Sequence, residues 1–271
     1  MTQLKHIKAV VLDWAGTMVD HGSRAPAIVF REIFAQRDVP ITVEEAREPM
    51  GMAKRQHIAT IAAMPRVAEA WLEKHGSPCT DQDIDAMYAD FLPLQKSVLA
   101  DHSQLIAGAA ETAAWLKENG IKIGSSTGYT QELMSIVVPA AAEQGYSPDC
   151  YLCAEDAPKG RPAPFLIFEA AKRMDVFPTW HMVKVDDTPV GIVAGRNAGC
   201  WTVAITKSGN CVGLSEEEYD ALSEEEKSAV VARAATKLLD AGAHMLADSI
   251  ADLPKLLQHF DQQIEDGLLP I

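Results

Sequence analysis

The sequence predicts an α/β fold, a doubly wound parallel sheet with an inserted helical-bundle cap. After residue 100, short apolar segments alternate with amphipathic segments of about ten residues, a pattern typical of parallel sheets covered by helices. One more apolar segment lies near the N-terminus, far from the others. The stretch between them has helical patterning only. It is therefore expected to leave the sheet after the first strand and to return before the second.

The strands are predicted from apolar runs that end at polar turns. Ile7–Leu12 is a near-continuous apolar run followed by a glycine-containing turn, which is typical of a buried parallel strand. Later strands are predicted at Ile121–Ser125, around Tyr151, at Met182–Val185, at Trp201–Ile205 and near His244–Leu246.

The helices that accompany these later strands are predicted from amphipathic periodicity. Ser215–Gly242 is a charged helical excursion with two Ser-x-x-Glu capping sequences, and a terminal helix is expected from Ser249. The other helices of this part are predicted at Ala109–Asn119, Gln131–Ala142, Pro164–Met174 and Val190–Asn197.

The inserted bundle is expected to be a separate domain of residues 23–99, and residues 1–22 with 100–271 are expected to form the α/β core. An insertion directly after the first strand lies at the carboxyl end of the sheet, where α/β folds place their sites. The bundle is therefore predicted to cap the site. Its helices are predicted at Pro26–Ala35, after a Thr42–Glu45 capping box, at Met52–Met64, at Pro65–His75 and at Thr80–Leu99.

Composition excludes several classes of protein. The chain has 271 residues, 48% of them hydrophobic, which is enough for a buried core. Its 24 basic against 38 acidic residues give a net charge of −14, which opposes nucleic acid as a partner. No apolar run approaches the roughly 18–20 residues of a membrane span. No secretion signal is recognisable, and the five scattered cysteines fit free thiols in the cytoplasm.

Polar residues that could take part in catalysis or binding follow four of the predicted strands. They are Asp13, Thr127, Arg161 and the pair Asp186-Asp187. A carboxylate nucleophile, a hydroxyl, a cation and an acidic metal-binding pair are what phosphoryl transfer to an aspartate requires. Mg²⁺ prefers a few carboxylates together with waters, which Asp13 and Asp187 could supply.

This set resembles the haloacid dehalogenase superfamily, whose four loops are matched by Asp13, Thr127, Arg161 and Asp186/Asp187. The resemblance implies a doubly wound core, a Mg²⁺ cofactor and an aspartyl-phosphate at Asp13. It also implies a second aspartate two residues after the nucleophile, which protonates the leaving alcohol in the phosphatases. Here that position is Ala15, which has no proton to give.

Lys54 offers a reaction that does not need this acid. It lies near the start of a predicted helix, and His57, three residues on, shares its face. An amine that is partly desolvated and close to other cations has a lowered pKa and can attack a carbonyl. An iminium one methylene from a phosphonate would draw electrons from the P–C bond. The leaving group would then depart as a neutral enamine.

These features together resemble the branch of the superfamily that hydrolyses the P–C bond of phosphonoacetaldehyde to acetaldehyde and phosphate. The resemblance implies that Asp13 is the nucleophile and that Lys54 forms a Schiff base. The metal ion would be held by the carboxylates of Asp13 and Asp187 and by the backbone carbonyl of Ala15. Members of this branch are typically homodimers, so a second copy of the chain is expected as a partner.

The resemblance also assigns supporting residues. Thr127 and Arg161 would bind the phosphonate oxygens, and His57 and Met50 would support Lys54. The remaining residues expected to bind the substrate or to support the site are Thr17, Gly51 and Tyr129.

Two other functions remain open at this stage. One is a Mg²⁺-dependent phosphatase of the same superfamily with another substrate, and the other is a non-catalytic domain that binds a phosphorylated ligand. One departure from the family pattern also matters. The fourth loop often reads Gly-Asp with a further Asp four residues on, where this chain has Asp186, Asp187 and Gly191. Asp187 is interpreted as the metal ligand, with Asp186 behind it.

Overall fold

The computed structural model describes residues 4–270 of the chain. In this part, six parallel strands form one sheet in the order β3-β2-β1-β4-β5-β6. The predicted doubly wound sheet is confirmed, and its strands start or end within one or two residues of the predicted positions. They are β1 Ala9–Leu12, β2 Lys122–Ser126, β3 Cys150–Leu152, β4 Met182–Asp186, β5 Trp201–Ile205 and β6 Met245–Ala247.

The helices also follow the predicted order. They are α1 Arg24–Ala35, α2 Val43–Arg47, α3 Lys54–Ala62, α4 Pro65–His75, α5 Asp81–Leu99, α6 Ala109–Glu118, α7 Gln131–Glu143, α8 Phe165–Met174, α9 Pro189–Asn197, α10 Glu216–Asp220, α11 Glu224–Asp240 and α12 Leu253–Glu265. Three starts differ from the prediction by two residues or more. α3 begins at Lys54 rather than at Met52. α1 begins two residues before Pro26, since proline is tolerated in a first turn. The last helix begins at Leu253 after a short 3₁₀ turn, Ile250–Asp252.

Capping residues set several of these helix starts. The Thr42 hydroxyl accepts the Glu45 backbone N–H at 3.1 Å, and the Glu45 carboxylate accepts the Thr42 N–H at 2.8 Å. Ser215 and Ser223 form the same reciprocal pair with the residues three positions on. These capping boxes satisfy N–H groups that an isolated helix end leaves free.

The core of the sheet is apolar on both faces. Along β1, Val10 and Leu12 belong to the cluster that packs against α6, α7 and α12, whereas Ala9 and Val11 belong to the cluster against α8 and α9. Alternation of side chains along a strand produces this division. β1 is thus buried between two layers of helices, which fixes the position of the residue that follows it, Asp13.

Helices α1–α5 have a hydrophobic cluster of their own, which includes Phe30, Ile58, Trp71 and Phe91. The two segments that connect them to the sheet run side by side. Val19 and Leu105 form an antiparallel bridge, and the Asp20 N–H donates to the Gln104 carbonyl at 3.1 Å. The chain therefore leaves the sheet and returns to it at the same place.

The sheet order places a switch point between β1 and β4. β1 leads through β2 and β3 to one edge, while β4 begins the other half and pairs directly with β1. In this pairing Leu12 lies opposite Val185, so Asp13 and Asp186 come next to each other at the carboxyl ends. Ligand sites of open α/β sheets occur at such a point. No helix within residues 4–270 has the length and apolar composition needed to cross a bilayer.

Candidate active site

A small cavity lies between the carboxyl ends of the strands and helices α1 and α3. Most of the residues predicted for the site line it, namely Asp13, Ala15, Met50, Gly51, Lys54, Thr127, Tyr129 and Arg161. We call the part formed by Asp13, Thr127 and Arg161 the strand end of the cavity. The part around Lys54 is called its helix end.

Three carboxylates meet below the strand end. One ligand atom each of Asp13, Asp186 and Asp187 lies within 4.8 Å of the others, and all three side chains are buried. Arg161 Nη1 donates to Asp13 Oδ1 at 3.0 Å and to Asp186 Oδ2 at 2.8 Å. The guanidinium that lines the cavity is thereby fixed against the carboxylate at the end of β1.

Asp186 is the most fully paired of the three. Besides Arg161, it accepts the buried Lys184 ammonium at 2.8 Å and both the hydroxyl and the N–H of Thr188. Burial alone would raise the pKa of Asp186, but the charges of Lys184 and Arg161 outweigh it and lower that pKa. Asp186 is therefore an ionised carboxylate with little capacity left for another ligand.

Asp187 differs in having no cationic partner among the described residues. Its oxygens accept the Asn210 backbone N–H at 2.7 Å and the Thr17 hydroxyl at 3.2 Å. Burial and the negative charges of Asp13 and Asp186 raise the pKa of Asp187 well above its ordinary value. Burial also raises the pKa of Asp13, against the opposing charge of Arg161. Two buried carboxylates that repel each other are a fit for a divalent cation, which would favour both ionised forms.

Glycines leave the space that these carboxylates occupy. A Cβ on Gly191 would lie 2.0 Å from the Asp186 carboxyl carbon. Glycine at position 191 therefore leaves room for aspartate at position 186, so the two departures from the family pattern fit each other. A Cβ on Gly16, whose φ is +85°, would lie 2.0 Å from Asp187 Oδ2. At this position, glycine meets both the turn conformation and the close approach of the carboxylate.

Lys54, the first residue of α3, lies at the helix end with only 4% of its surface exposed. Its amine is 4.6 Å from the ring centre of Tyr129, 5.6 Å from that of Phe30 and 6.0 Å from that of Phe91. No carboxylate of the described chain is within ion-pair distance of it. Burial, followed by the charge of Arg161, lowers the pKa of Lys54 to about 7.

Both causes expected from the sequence, desolvation and a nearby cation, contribute to this shift, and the cation is Arg161. His57 is not among the groups that shift the pKa of Lys54. Burial and the charge of Lys54 lower the pKa of His57 well below its ordinary value. Its Nε2 donates to the Ala46 carbonyl at 2.9 Å, and its ring stacks on Phe30 at 3.7 Å. His57 thus supports an aromatic wall of the Lys54 pocket from behind.

Two predicted supporting residues, Thr17 and His57, do not line the cavity, and neither does Asp187. Thr17 contacts Asp187 and His57 contacts Phe30. Neither partner lines the cavity, so both predicted residues lie behind its wall. Asp187 lies beside Asp13 but is not exposed to the cavity.

Sequence reasoning missed other residues of the site. The cavity is also lined by Ser23, Pro26, Gly128 and Thr188. Ser23 directly precedes α1 and Gly128 lies in the turn after β2, and neither residue type marks a site by itself. Lys184 gave a visible signal, since it is the one charged residue before Asp186 in an otherwise apolar strand.

Comparison with known proteins agrees with this geometry. The family model of haloacid dehalogenase-like hydrolases matches residues 7–199. The phosphonoacetaldehyde hydrolase of Paraburkholderia xenovorans is 46% identical over 267 residues, 98% of this chain and 100% of that protein. The enzyme of the same name from Vibrio parahaemolyticus is 45% identical over 266 residues, 97% of this chain and 98% of its own.

Solved structures give the same picture. A phosphonoacetaldehyde hydrolase-like protein from Oleispira antarctica superposes with a TM-score of 0.96 at 40% identity, over 100% of this chain and 98% of the other. A β-phosphoglucomutase-like protein from Bacteroides vulgatus superposes with a TM-score of 0.68 at 20% identity, over 95% and 91% of the two chains, and shares the fold.

Proposed function

The chain belongs to the haloacid dehalogenase-like hydrolases and, within them, to the phosphonoacetaldehyde hydrolase family, and we propose that it hydrolyses the P–C bond of phosphonoacetaldehyde to acetaldehyde and phosphate. The observation that carries this proposal is the buried amine of Lys54, which shares one small cavity with Asp13. Ala15 in the same cavity supports it, because a phosphatase needs an acid at that position and this reaction does not.

The two ends of the cavity suit the two ends of this substrate. Arg161 and Thr127 at the strand end would hold the phosphonate oxygens, with phosphorus in front of the Asp13 carboxylate. Lys54 at the helix end would face the aldehyde carbon, and Met50, Gly51 and Tyr129 would enclose the carbon chain. The net negative charge of the protein, −14, does not oppose this, because the guanidinium of Arg161 lines the cavity itself.

The first step is the attack of the Lys54 amine on the aldehyde carbon. A C–N bond forms, water leaves, and the product is a protonated imine. Only the neutral amine has the lone pair that this step needs. With a pKa of about 7, close to half of Lys54 is neutral near pH 7, whereas an exposed lysine is almost fully protonated there.

In the second step the Asp13 carboxylate attacks phosphorus and the P–C bond breaks. The electron pair of that bond moves into the iminium, which becomes a neutral enamine, so no acid is required at Ala15. The enamine then takes up a proton on carbon, and water releases acetaldehyde from Lys54. A second water hydrolyses the aspartyl-phosphate, giving phosphate and restoring the carboxylate of Asp13.

We propose that the cation site takes Mg²⁺, held by the carboxylates of Asp13 and Asp187 and by the backbone carbonyl of Ala15. The oxygen-only donor set supports this choice. When bound, Mg²⁺ supplies positive charge that offsets the repulsion between the Asp13 carboxylate and the phosphonate oxygens. Thr17 and the Asn210 N–H orient Asp187 for this role.

Three broader features belong to the same proposal. Residues 23–99 would act as a cap domain, which the separate hydrophobic cluster of α1–α5 supports. The enzyme would work as a homodimer, as the family resemblance implies, and in the cytoplasm, where the free state of all five cysteines fits. Light scattering after size exclusion tests the oligomeric state.

The test of the proposed function is product formation from phosphonoacetaldehyde with added Mg²⁺. Acetaldehyde, detected with alcohol dehydrogenase and NADH, and inorganic phosphate are expected in equal amounts. A phosphatase with another substrate would instead hydrolyse phosphate esters such as p-nitrophenyl phosphate and leave phosphonoacetaldehyde intact. A binding domain would release neither product.

A further inference from the structure

We propose that Arg47 is a positioning residue that couples the docking of α2 to the cation site, acting through Asn210 on Asp187. The inference rests on the proposed cation site of Asp13 and Asp187. It adds a residue from the inserted helices, remote from the reacting atoms, to the control of cation affinity.

Arg47, the last residue of α2, is bound to two separate parts of the core. Its Nη1 donates to the Gly22 carbonyl at 2.7 Å, in the segment that connects β1 to α1. Nη1 also donates to the Asn210 side-chain oxygen at 2.9 Å, and Nη2 donates to the Gly213 carbonyl at 2.8 Å. One guanidinium thus joins α2, the connecting segment and the loop after β5.

The contact with this loop is tight as well as polar. A Cβ on Gly213, whose φ is +73°, would lie 2.7 Å from the Arg47 guanidinium carbon. Arg47 therefore lies directly against the loop backbone, where a larger residue would displace it. A planar guanidinium can satisfy several acceptors in a fixed geometry, which a lysine cannot.

Asn210 carries this contact to the metal-binding carboxylate. Its side-chain amide returns a hydrogen bond to the Arg47 carbonyl at 3.3 Å, so the two residues bind each other in both directions. Its backbone N–H donates to Asp187 Oδ2 at 2.7 Å. Only one residue separates Arg47 from a proposed cation ligand, and Asn210 is itself 5% exposed.

The position of α2 also bears on the helix end of the cavity. Met50, Gly51 and Lys54 follow Arg47 within one short segment. Docking of α2 through Arg47 therefore fixes the Lys54 segment and the orientation of Asp187 together. Since coupling between two events is reciprocal, cation binding should favour the docked state, and loss of the Arg47 contact should weaken cation binding.

The experiment measures Mg²⁺ affinity by isothermal titration calorimetry without substrate. The proteins are wild type, Arg47→Met, Asn210→Ala and the double variant. Each single substitution is expected to weaken Mg²⁺ binding by about 10-fold to 100-fold, the range seen for residues that orient metal ligands. The double variant should bind Mg²⁺ no less tightly than the more affected single variant, because both substitutions break the same link. The matched control is Arg37→Met, at an arginine in the turn between α1 and α2 that pairs with Asp90, and this variant should bind Mg²⁺ normally.

The outcomes separate the two proposals. If wild type binds Mg²⁺ and Arg47→Met binds it within twofold of wild type, or if the two single effects add, the Arg47 link is wrong. If wild type itself binds no Mg²⁺, the proposed cation site fails and the link fails with it. Should Arg47→Met not fold, Arg47→Lys, which keeps the charge but loses the fork of donors, must still weaken binding by several-fold.

Discussion

Arg161 at the strand end of the cavity and Lys184 behind it are buried cations with carboxylate partners, whereas the buried amine of Lys54 at the helix end has none within residues 4–270. The pairing at the strand end lowers the pKa of Asp186 despite complete burial. At the helix end, three aromatic rings surround the amine instead, and burial lowers its pKa to about 7.

The difference shows how two lysines in one protein acquire different chemistry. Lys184 holds Asp186 in place through an ion pair of 2.8 Å. Lys54 has no carboxylate partner that would stabilise its protonated form, so its amine suits the nucleophilic role that we propose for it. Burial of an unpaired amine destabilises the fold, a cost that active sites commonly carry.

The largest effect is expected from Asp13→Asn. The amide keeps the shape of the side chain but cannot attack phosphorus, so kcat should fall by about four orders of magnitude or more, as for other covalent nucleophiles. Steady-state acetaldehyde release checks this. Asp101→Asn, an exposed carboxylate outside the cavity, is the control. Near-normal turnover by Asp13→Asn would contradict an aspartyl-phosphate.

Lys54→Arg should lower kcat by about a thousandfold or more, while phosphonate binding persists. Arginine keeps the positive charge but stays protonated at any usable pH and forms no imine. Single-turnover kinetics and a binding titration with phosphonoacetaldehyde separate the two effects. Addition of Ala15→Asp should not restore cleavage, because an acid does not replace the electron sink. Cleavage by Lys54→Arg at near the wild-type rate would exclude the Schiff base.

Lys184→Met tests the paired side of the comparison. Loss of the Lys184 ammonium leaves Arg161 as the cation paired with Asp186. Arg161 should then shift towards Asp186 and away from the phosphonate. We expect kcat/KM to fall by about 10-fold to 100-fold and the free energy of unfolding by roughly 3 kcal/mol, as for a broken buried pair. Urea denaturation and steady-state kinetics measure both.

The double variant Lys184→Met/Asp186→Asn sharpens this prediction. Removal of both charges should restore much of the stability, because residue 186 then carries no charge that needs Lys184, but should not restore kcat/KM. Lys172→Met, at an exposed lysine, is the control. Equal recovery of stability and activity would mean that Lys184 acts on the fold alone.

The smallest expected effect is the pH dependence of the wild-type enzyme. The neutral fraction of Lys54 rises as pH rises through about 7, so kcat/KM should increase through that value and level off above it. Below pH 6 the decline should approach about tenfold per pH unit. The profile is measured at constant ionic strength with saturating Mg²⁺. A flat profile from pH 6 to 8 would show that no group with such a pKa controls the reaction.

Much of the fold followed from the sequence because its signals are local. Apolar runs such as Trp201–Ile205 end at polar turns, and capping boxes such as Thr42 with Glu45 mark the starts of helices. The convergence of Asp13, Thr127 and Arg161 also followed, since carboxyl ends of parallel strands meet at one edge of a sheet.

The pairing of charges could not be predicted in this way. The sequence shows Asp186 and Asp187 as neighbours of equal type, and only the tertiary structure gives one of them Lys184 and Arg161 and the other the Asn210 N–H. The neutral state of His57 likewise depends on its burial against Phe30, which spacing along a helix does not reveal.

The central claim is that Lys54 is the amine that reacts with the aldehyde, and chemical trapping tests it most directly. Borohydride added together with phosphonoacetaldehyde should reduce the imine to a stable secondary amine and abolish activity. Mass spectrometry of a digest should then find the added mass on the peptide that contains Lys54, and no adduct in Lys54→Arg. Trapping at another lysine, or full activity after borohydride and substrate with no adduct, would contradict the claim.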